Sequence, residues 1–179
     1  MNSKTKVLTQ TGLMAAIMCV IGPVTIPLPF SMVPLSLMSL IIFLSVYIIG
    51  TKRAVISCII YLLIGMTGLP VFSSFTGGAG KLFGPTGGYL ISYMLMVLVS
   101  GYFIHKKANN KLYCFLGMSL GTFICYIIGT VWLSYQSKLS FEEALIMGVI
   151  PFIAGDILKI IIVMILAPKL QKRLKRAGF

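Results

Sequence analysis

Three side chains in this sequence of 179 residues are acidic, and only one of them lies deep inside an apolar run. Glu142 and Glu143 open a hydrophobic segment, where water and a helix N-terminus favour them. Asp156 instead sits with Lys159 in the middle of Ile150-Pro151-Phe152-Ile153-Ala154-Gly155-Asp156-Ile157-Leu158-Lys159-Ile160-Ile161. A charge at the centre of a membrane helix costs about 2.5–3.5 kcal/mol on insertion scales, so something must compensate it. A spacing of three puts both groups on one helix face with Cβ atoms about 5–6 Å apart, where they neutralise one another while pointing into a bundle. One reading is a structural ion pair that fixes helix packing. The other is a polar ligand site, favoured because intramembrane ionisable residues carry function and because Pro151 and Gly155 loosen the helix beside them.

A second constellation is Gly84-Pro85-Thr86-Gly87-Gly88-Tyr89. Proline at a first helical position, followed by glycines, exposes backbone N–H groups at a positive dipole end, which suits a carboxylate or carbonyl oxygen. The plainer reading is a helix start with glycines for close packing; the conjunction with Asp156 and Lys159 points to a ligand.

Other candidates fall away. Gly80-Lys81 ends like a phosphate loop, but Phe75 stands five positions before Gly80 and Leu82 follows Lys81, so G-x-x-x-x-G-K-[ST] fails. His105 borders a basic loop without a second metal ligand nearby. Cys19, Cys58, Cys114 and Cys125 lie inside apolar runs without metal-site spacing and read as small buried residues. Trp132 and Tyr135 fit an interfacial aromatic belt better than a stacking platform. No metal, cofactor or catalytic group is expected.

The elements that must position these residues follow from composition. The chain is 58% hydrophobic and 10% charged, against about 25% charged in an ordinary soluble domain. Its net charge of +12 is not a nucleic-acid signature, because the basic residues lie between apolar runs instead of clustering on a water-exposed face. Apolar runs predict membrane helices near 7–21, 33–50, 54–69, 85–104, 113–133 and 141–166, each of about the length that crosses a hydrocarbon core. The first run follows Lys4 and Lys6 like a signal peptide, but it lacks a clear A-x-A exit and five more runs follow, so it reads as a span.

Gly22-Pro23-Val24-Thr25-Ile26-Pro27-Leu28-Pro29-Phe30 must be an ordered non-helical loop, since its three prolines block a regular helix. Thr51-Lys52-Arg53 makes so short a connection that helices two and three must be antiparallel neighbours. A glycine-rich stretch over 73–84 leads to helix four. His105-Lys106-Lys107-Ala108-Asn109-Asn110-Lys111 separates helices four and five.

Positive charge sets the direction. Lys4, Lys6, Lys52, Arg53, Lys106, Lys107, Lys111, Lys169, Lys172, Arg173, Lys175 and Arg176 are twelve of the fifteen basic residues, and all fall on alternate segments. The expected fold is therefore an all-α integral membrane protein, one domain over 1–179, with six transmembrane helices and both termini cytoplasmic. The C-terminal basic cluster lies against anionic lipid headgroups. On helix one, Gly12 with Ala16, and Ala15 with Cys19, make a small-residue stripe along which another helix can approach, internal or from a partner.

The Gly22–Phe30 segment, Leu69-Pro70-Val71-Phe72-Ser73, the Gly84–Tyr89 stretch and Gly155-Asp156-Ile157-Leu158-Lys159 together resemble, in the same order and spacing, the BioY family. These are the substrate-binding S components of biotin transporters of the energy-coupling factor (ECF) type. The resemblance implies a six-helix S-component-like bundle in a prokaryotic cell membrane that binds biotin from outside. Biotin is then the transported ligand, not a cofactor. It further implies partners that supply energy, a transmembrane coupling subunit and two ABC ATPases, with Gly12, Ala15 and Ala16 packing against the coupling subunit. Asp156 suits the ureido N–H groups and Lys159 an oxygen; Thr86 and N–H groups near Gly87 suit another oxygen, with Tyr89 covering the ring and arm. The alternatives are an S component for a different vitamin and, from another class, an intramembrane enzyme with Lys159 as base, for which no serine is marked by any motif.

Overall fold

A computed structural model describes residues 3–29, 31–107 and 110–176. Phe30, Ala108 and Asn109, which fall in two of the predicted loops, and the side chains of Ser3 and Lys175 lie outside the described residues. The helices are α1 (Ser3–Ile21), α2 (Met38–Ile49), α3 (Thr51–Met66), α4 (Ala79–Leu82), α5 (Gly87–Lys106), α6 (Lys111–Ser137), α7 (Phe141–Gly148) and α8 (Ile150–Arg176). Of these, α5, α6 and α8 are long and apolar enough to cross a membrane, and α2 is a shorter apolar helix.

Four expectations need correction. The second helix begins at Met38 and not at Val33, because the backbone around Pro34 is extended: Leu35–Ser36 (β2) pairs antiparallel with Thr25–Ile26 (β1). The otherwise all-helical fold thus carries one two-residue ribbon. Thr51-Lys52-Arg53 is the first turn of α3, and Gly50 alone makes the connection, at φ 82°, a backbone region open to glycine. The fourth long helix starts at Gly87, with Thr86 at its cap, and the loop before it holds a 3-10 turn over Ser73–Phe75 as well as α4.

The predicted last helix is two helices broken at Val149. Pro151 has no N–H to give the Met147 carbonyl, and the Phe152 N–H bonds Val149 at 2.9 Å. The freed Met147 carbonyl accepts from Ser31 Oγ at 2.6 Å, and the Gly148 carbonyl accepts from Tyr89 Oη at 3.2 Å. One proline therefore pins both a loop and a tyrosine. Ser140 and Glu143 cap α7 reciprocally.

Helix α6 presents Gly117, Gly121 and Gly129 to α5, where added Cβ atoms would press on Phe103, Met96 and the Tyr89 ring. That four-residue spacing lets the two backbones approach closely. It fixes which face of each helix turns inward.

The two ends of the bundle differ. At one end, Thr25 Oγ1 and Ser74 Oγ meet at 3.1 Å, and buried Phe72 packs on Gly65 and edge-on against Tyr61, so the 22–29, 31–37 and 71–78 segments form a common cap. At the other, the Thr51 N–H donates to His105 Nε2 at 3.2 Å, Gln171 Nε2 donates to the Tyr47 carbonyl at 2.8 Å, and Arg53 donates to Gln10. The basic α2–α3 turn, the end of α5 and the C-terminal part of α8 are gathered at that second end.

Candidate functional site

Beneath the cap lies a cavity of about 70 Å³ lined by Val33, Pro34, Ser36 and Ser39 from the loop and α2, by α5 and α6, and by Phe152, Asp156 and Lys159 from α8. The ion pair predicted from the three-residue spacing is formed, with Lys159 Nζ 2.8 Å from Asp156 Oδ1. Both residues are buried, at 9% and 7% exposure. Ser39 Oγ donates to Asp156 Oδ1 at 3.0 Å, Tyr126 Oη donates to Asp156 Oδ2, and Lys159 Nζ also donates to the Ser36 carbonyl.

This arrangement leaves a defined remainder. A carboxylate has about four lone-pair sites and an ammonium three donors. Lys159 and Ser39 fill Oδ1, Tyr126 takes one site on Oδ2, and Nζ gives two of its three hydrogens. Among the described residues, one acceptor position on Oδ2 and one donor on Nζ remain, and both residues line the cavity. Together they fit a ligand edge carrying an N–H next to a carbonyl.

A smaller compartment of about 30 Å³ adjoins the first, sharing Val33, Pro34, Ser36, Tyr89 and Tyr93 and adding Gly22, Tyr61, Ser73, Thr86 and Leu90. Thr86 is 7% exposed, and its buried Oγ1 has no hydrogen-bond partner among the described residues. Tyr89 walls both compartments, its hydroxyl directed to Gly148 and to Thr130 Oγ1 at 3.4 Å.

The glycines of the second constellation are placed differently. The Gly84 carbonyl accepts from Trp132 Nε1 at 2.9 Å and from the Gly87 N–H at 2.9 Å. Cβ atoms at Gly87 and Gly88 would overlap Leu82 and Trp132. The Gly87 N–H closes this turn, and neither glycine lines either compartment, so the cavity receives Thr86 and Tyr89 from this stretch. On α1, Gly12 and Ala16 are exposed, and Gly12 lines a groove with Leu8, Ile56 and Ile60. Ala15, at 2% exposure, faces the interior.

Sequence reasoning missed Ser39, Tyr126, Tyr93 and the Ser36 carbonyl. The four-residue glycine spacing in α6 marks the inward face next to which Tyr126 stands; nothing in the sequence brings Ser36 to Lys159, since that contact spans 123 positions.

Fold and site together define a multi-pass helical membrane protein with a capped, charge-bearing cavity of the kind that holds a small ligand. The chain belongs to the BioY family, whose model matches residues 1–176. It is 32% identical to the biotin transporter BioY2 of Lactococcus lactis over 177 residues, covering 99% of this chain and 96% of that protein. It is 34% identical to the biotin transporter BioY of Thermotoga maritima, covering 92% and 95% of the two chains. A solved crystal structure, that of the S-component for biotin from an ECF-type ABC transporter, matches with a TM-score of 0.87 at 31% identity, covering 96% of this chain and 93% of that one. The family is one of transporters, not of enzymes.

Proposed function

We propose that this chain is the biotin-binding S component of an ECF-type vitamin uptake transporter. The observation that carries the reading is the one acceptor position on Asp156 and the one donor on Lys159 left open among the described residues, in a cavity closed by the cap. A ureido group presents an N–H and a carbonyl on one edge, so it uses both at once. The aromatic and aliphatic walls, Tyr89, Tyr93, Met96 and Phe152, suit the fused rings and the apolar arm. Thr86 and Tyr89 belong to the same site, with Gly84 and Gly87 supporting it through the turn that sets Thr86.

The chain works as a single transmembrane domain of six crossings with both ends in the cytoplasm. The gathering of basic segments at the uncapped end supports that direction, and exposed Lys169, Lys172, Arg173 and Arg176 meet lipid headgroups there. The membrane is the cell membrane of a prokaryote, in keeping with relatives from Lactococcus lactis and Thermotoga maritima. Energy comes from a membrane coupling subunit and two ABC ATPases; exposed Gly12 and Ala16 offer that subunit a close approach, and Ala15 supports the stripe from within.

Titrating the purified protein in detergent with biotin, thiamine and riboflavin tests the reading, with the single Trp132, packed on Gly88, as a fluorescent reporter. Biotin alone should saturate. Asp156→Asn and Lys159→Ala should each weaken binding by about tenfold to a hundredfold, the loss of one hydrogen bond to a charged group. Unchanged affinity in both variants removes the site, and saturation by thiamine or riboflavin in place of biotin moves the function to another vitamin.

A further inference from the structure

The smaller compartment differs from the larger in one chemical respect. Its polar side chains are hydroxyls, those of Ser36, Tyr61, Ser73, Thr86, Tyr89 and Tyr93, and among the described residues no Lys, Arg, His, Asp or Glu lines it. Tyr61 is 1% exposed and Thr86 is buried with its hydroxyl unpartnered. The hydroxyls of Tyr61 and Tyr93 make no hydrogen bond among the described residues, whereas that of Tyr89 is turned to Gly148. A buried polar group left unmade costs about 1–3 kcal/mol, and the unpartnered Thr86 hydroxyl, among the other hydroxyl side chains of this small space, marks a place that a polar atom occupies when the protein works. A volume of about 30 Å³ admits a water or a ligand's terminal group, since a water needs about 10–15 Å³.

The compartment also has a position. It touches Gly22, Val33 and Ser73 of the cap and the first turn of α5, whereas Asp156 and Lys159 lie in the second and third turns of α8. An elongated ligand whose head uses the ion pair therefore directs its tail towards the hydroxyls, past Tyr89 and Tyr93, which wall both spaces.

We propose that Tyr61, Tyr93 and Thr86 form a neutral tail subsite, which reads the carboxyl end of the ligand by hydrogen bonds from hydroxyl groups and not by pairing with a cation. This rests on the biotin reading above and adds a specificity to it: the head is recognised with charge, the tail without. Hydroxyls donate to a carboxylate and to an amide carbonyl alike, and they also accept from an amide N–H. The protein should then tolerate loss of the tail's charge and refuse a change at the head.

Full-length protein in detergent tests this by titration with biotin, with its neutral primary amide, and with a biotin methylated on a ureido nitrogen. The amide should bind within about tenfold of biotin, and the head-methylated compound should bind more weakly than either. Thr86→Val and Tyr93→Phe should each lower affinity for biotin and amide in parallel, by about threefold to tenfold, leaving the ratio between them unchanged. Thr86→Val keeps the branched shape and removes an unpartnered hydroxyl, so it should melt no lower than wild type; Lys81→Met, at the nearby α4, should change neither affinity. The proposal is overturned if the amide binds more than about tenfold worse than biotin, if both hydroxyl variants leave biotin affinity unchanged, or if Lys81→Met removes the distinction between biotin and amide. Failure of wild type to bind biotin at all would instead overturn the function on which the subsite rests, whereas tight biotin binding with rejection of the amide overturns the subsite alone.

Discussion

Asp156 is held by three donors, and each does something different. Lys159 cancels its charge, Ser39 ties it to the start of α2, and Tyr126 ties it to α6. A charge at membrane depth is otherwise expensive, and here pairing and hydrogen bonding offset that cost. Tyr126 is the donor that shares Oδ2 with the open acceptor position, so it sets the direction in which that position faces. Replacing it by Phe keeps the ring and removes the donor. Tyr126→Phe should weaken biotin binding by about tenfold, the lower end of what a hydrogen bond to a charged group contributes. Calorimetric titration of the variant beside wild type measures this, and equal affinities would mean that Tyr126 serves packing only.

At the scale of elements, the glycines of α6 decide where Tyr89 stands. Gly129 lies against the middle of the Tyr89 ring, and Gly148 against its hydroxyl, so the side chain is wedged between α6 and the end of α7. A methyl group at Gly129 must move the ring, and overpacking of this kind costs about 1–3 kcal/mol. Gly129→Ala should therefore lower the melting temperature in detergent and weaken biotin binding together. Gly12→Ala, where an added Cβ meets nothing within 4 Å, should change neither; a fall in both variants alike would point to helix α1 and not to Tyr89. The same elements explain what was legible beforehand. Asp156 and Lys159 stood out because charge in an apolar run is rare, and their spacing alone predicted the pair. The break at Val149 was less visible: Pro151 signals a disturbance, but where the helix parts depends on Ser31 and Tyr89 taking the freed carbonyls, which are far away in sequence. The late start of α2 escaped for the same reason, since Val33-Pro34-Leu35 is as apolar as the helix that follows, and its extended form is stabilised by β1.

For the molecule as a whole, the short α2 matters most. Twelve residues rise only about 18 Å, less than the roughly 30 Å of a hydrocarbon core, so in the six-crossing arrangement proposed above the non-helical 31–37 segment would complete that crossing. Non-helical backbone is tolerated at such depth only where protein buries and satisfies it. The Ser36 carbonyl is satisfied by Lys159, and the Ser36 hydroxyl accepts from the Met38 N–H at 3.0 Å. The cavity is thus the consequence of one helix stopping early at the capped end. If the positive residues set the direction, that capped end faces outward, ready for a ligand arriving from outside. Reporter cysteines test it in a chain whose four native cysteines, all within helices, are replaced by alanine. Lys138→Cys, at the αL turn closing α6, and Lys107→Cys, after α5, lie at opposite ends of a crossing. On intact cells a membrane-impermeant maleimide should label Lys138→Cys and leave Lys107→Cys unlabelled until the membrane is opened. The reverse pattern would turn the molecule over and put the cap in the cytoplasm, and labelling of both on intact cells would remove a crossing between them.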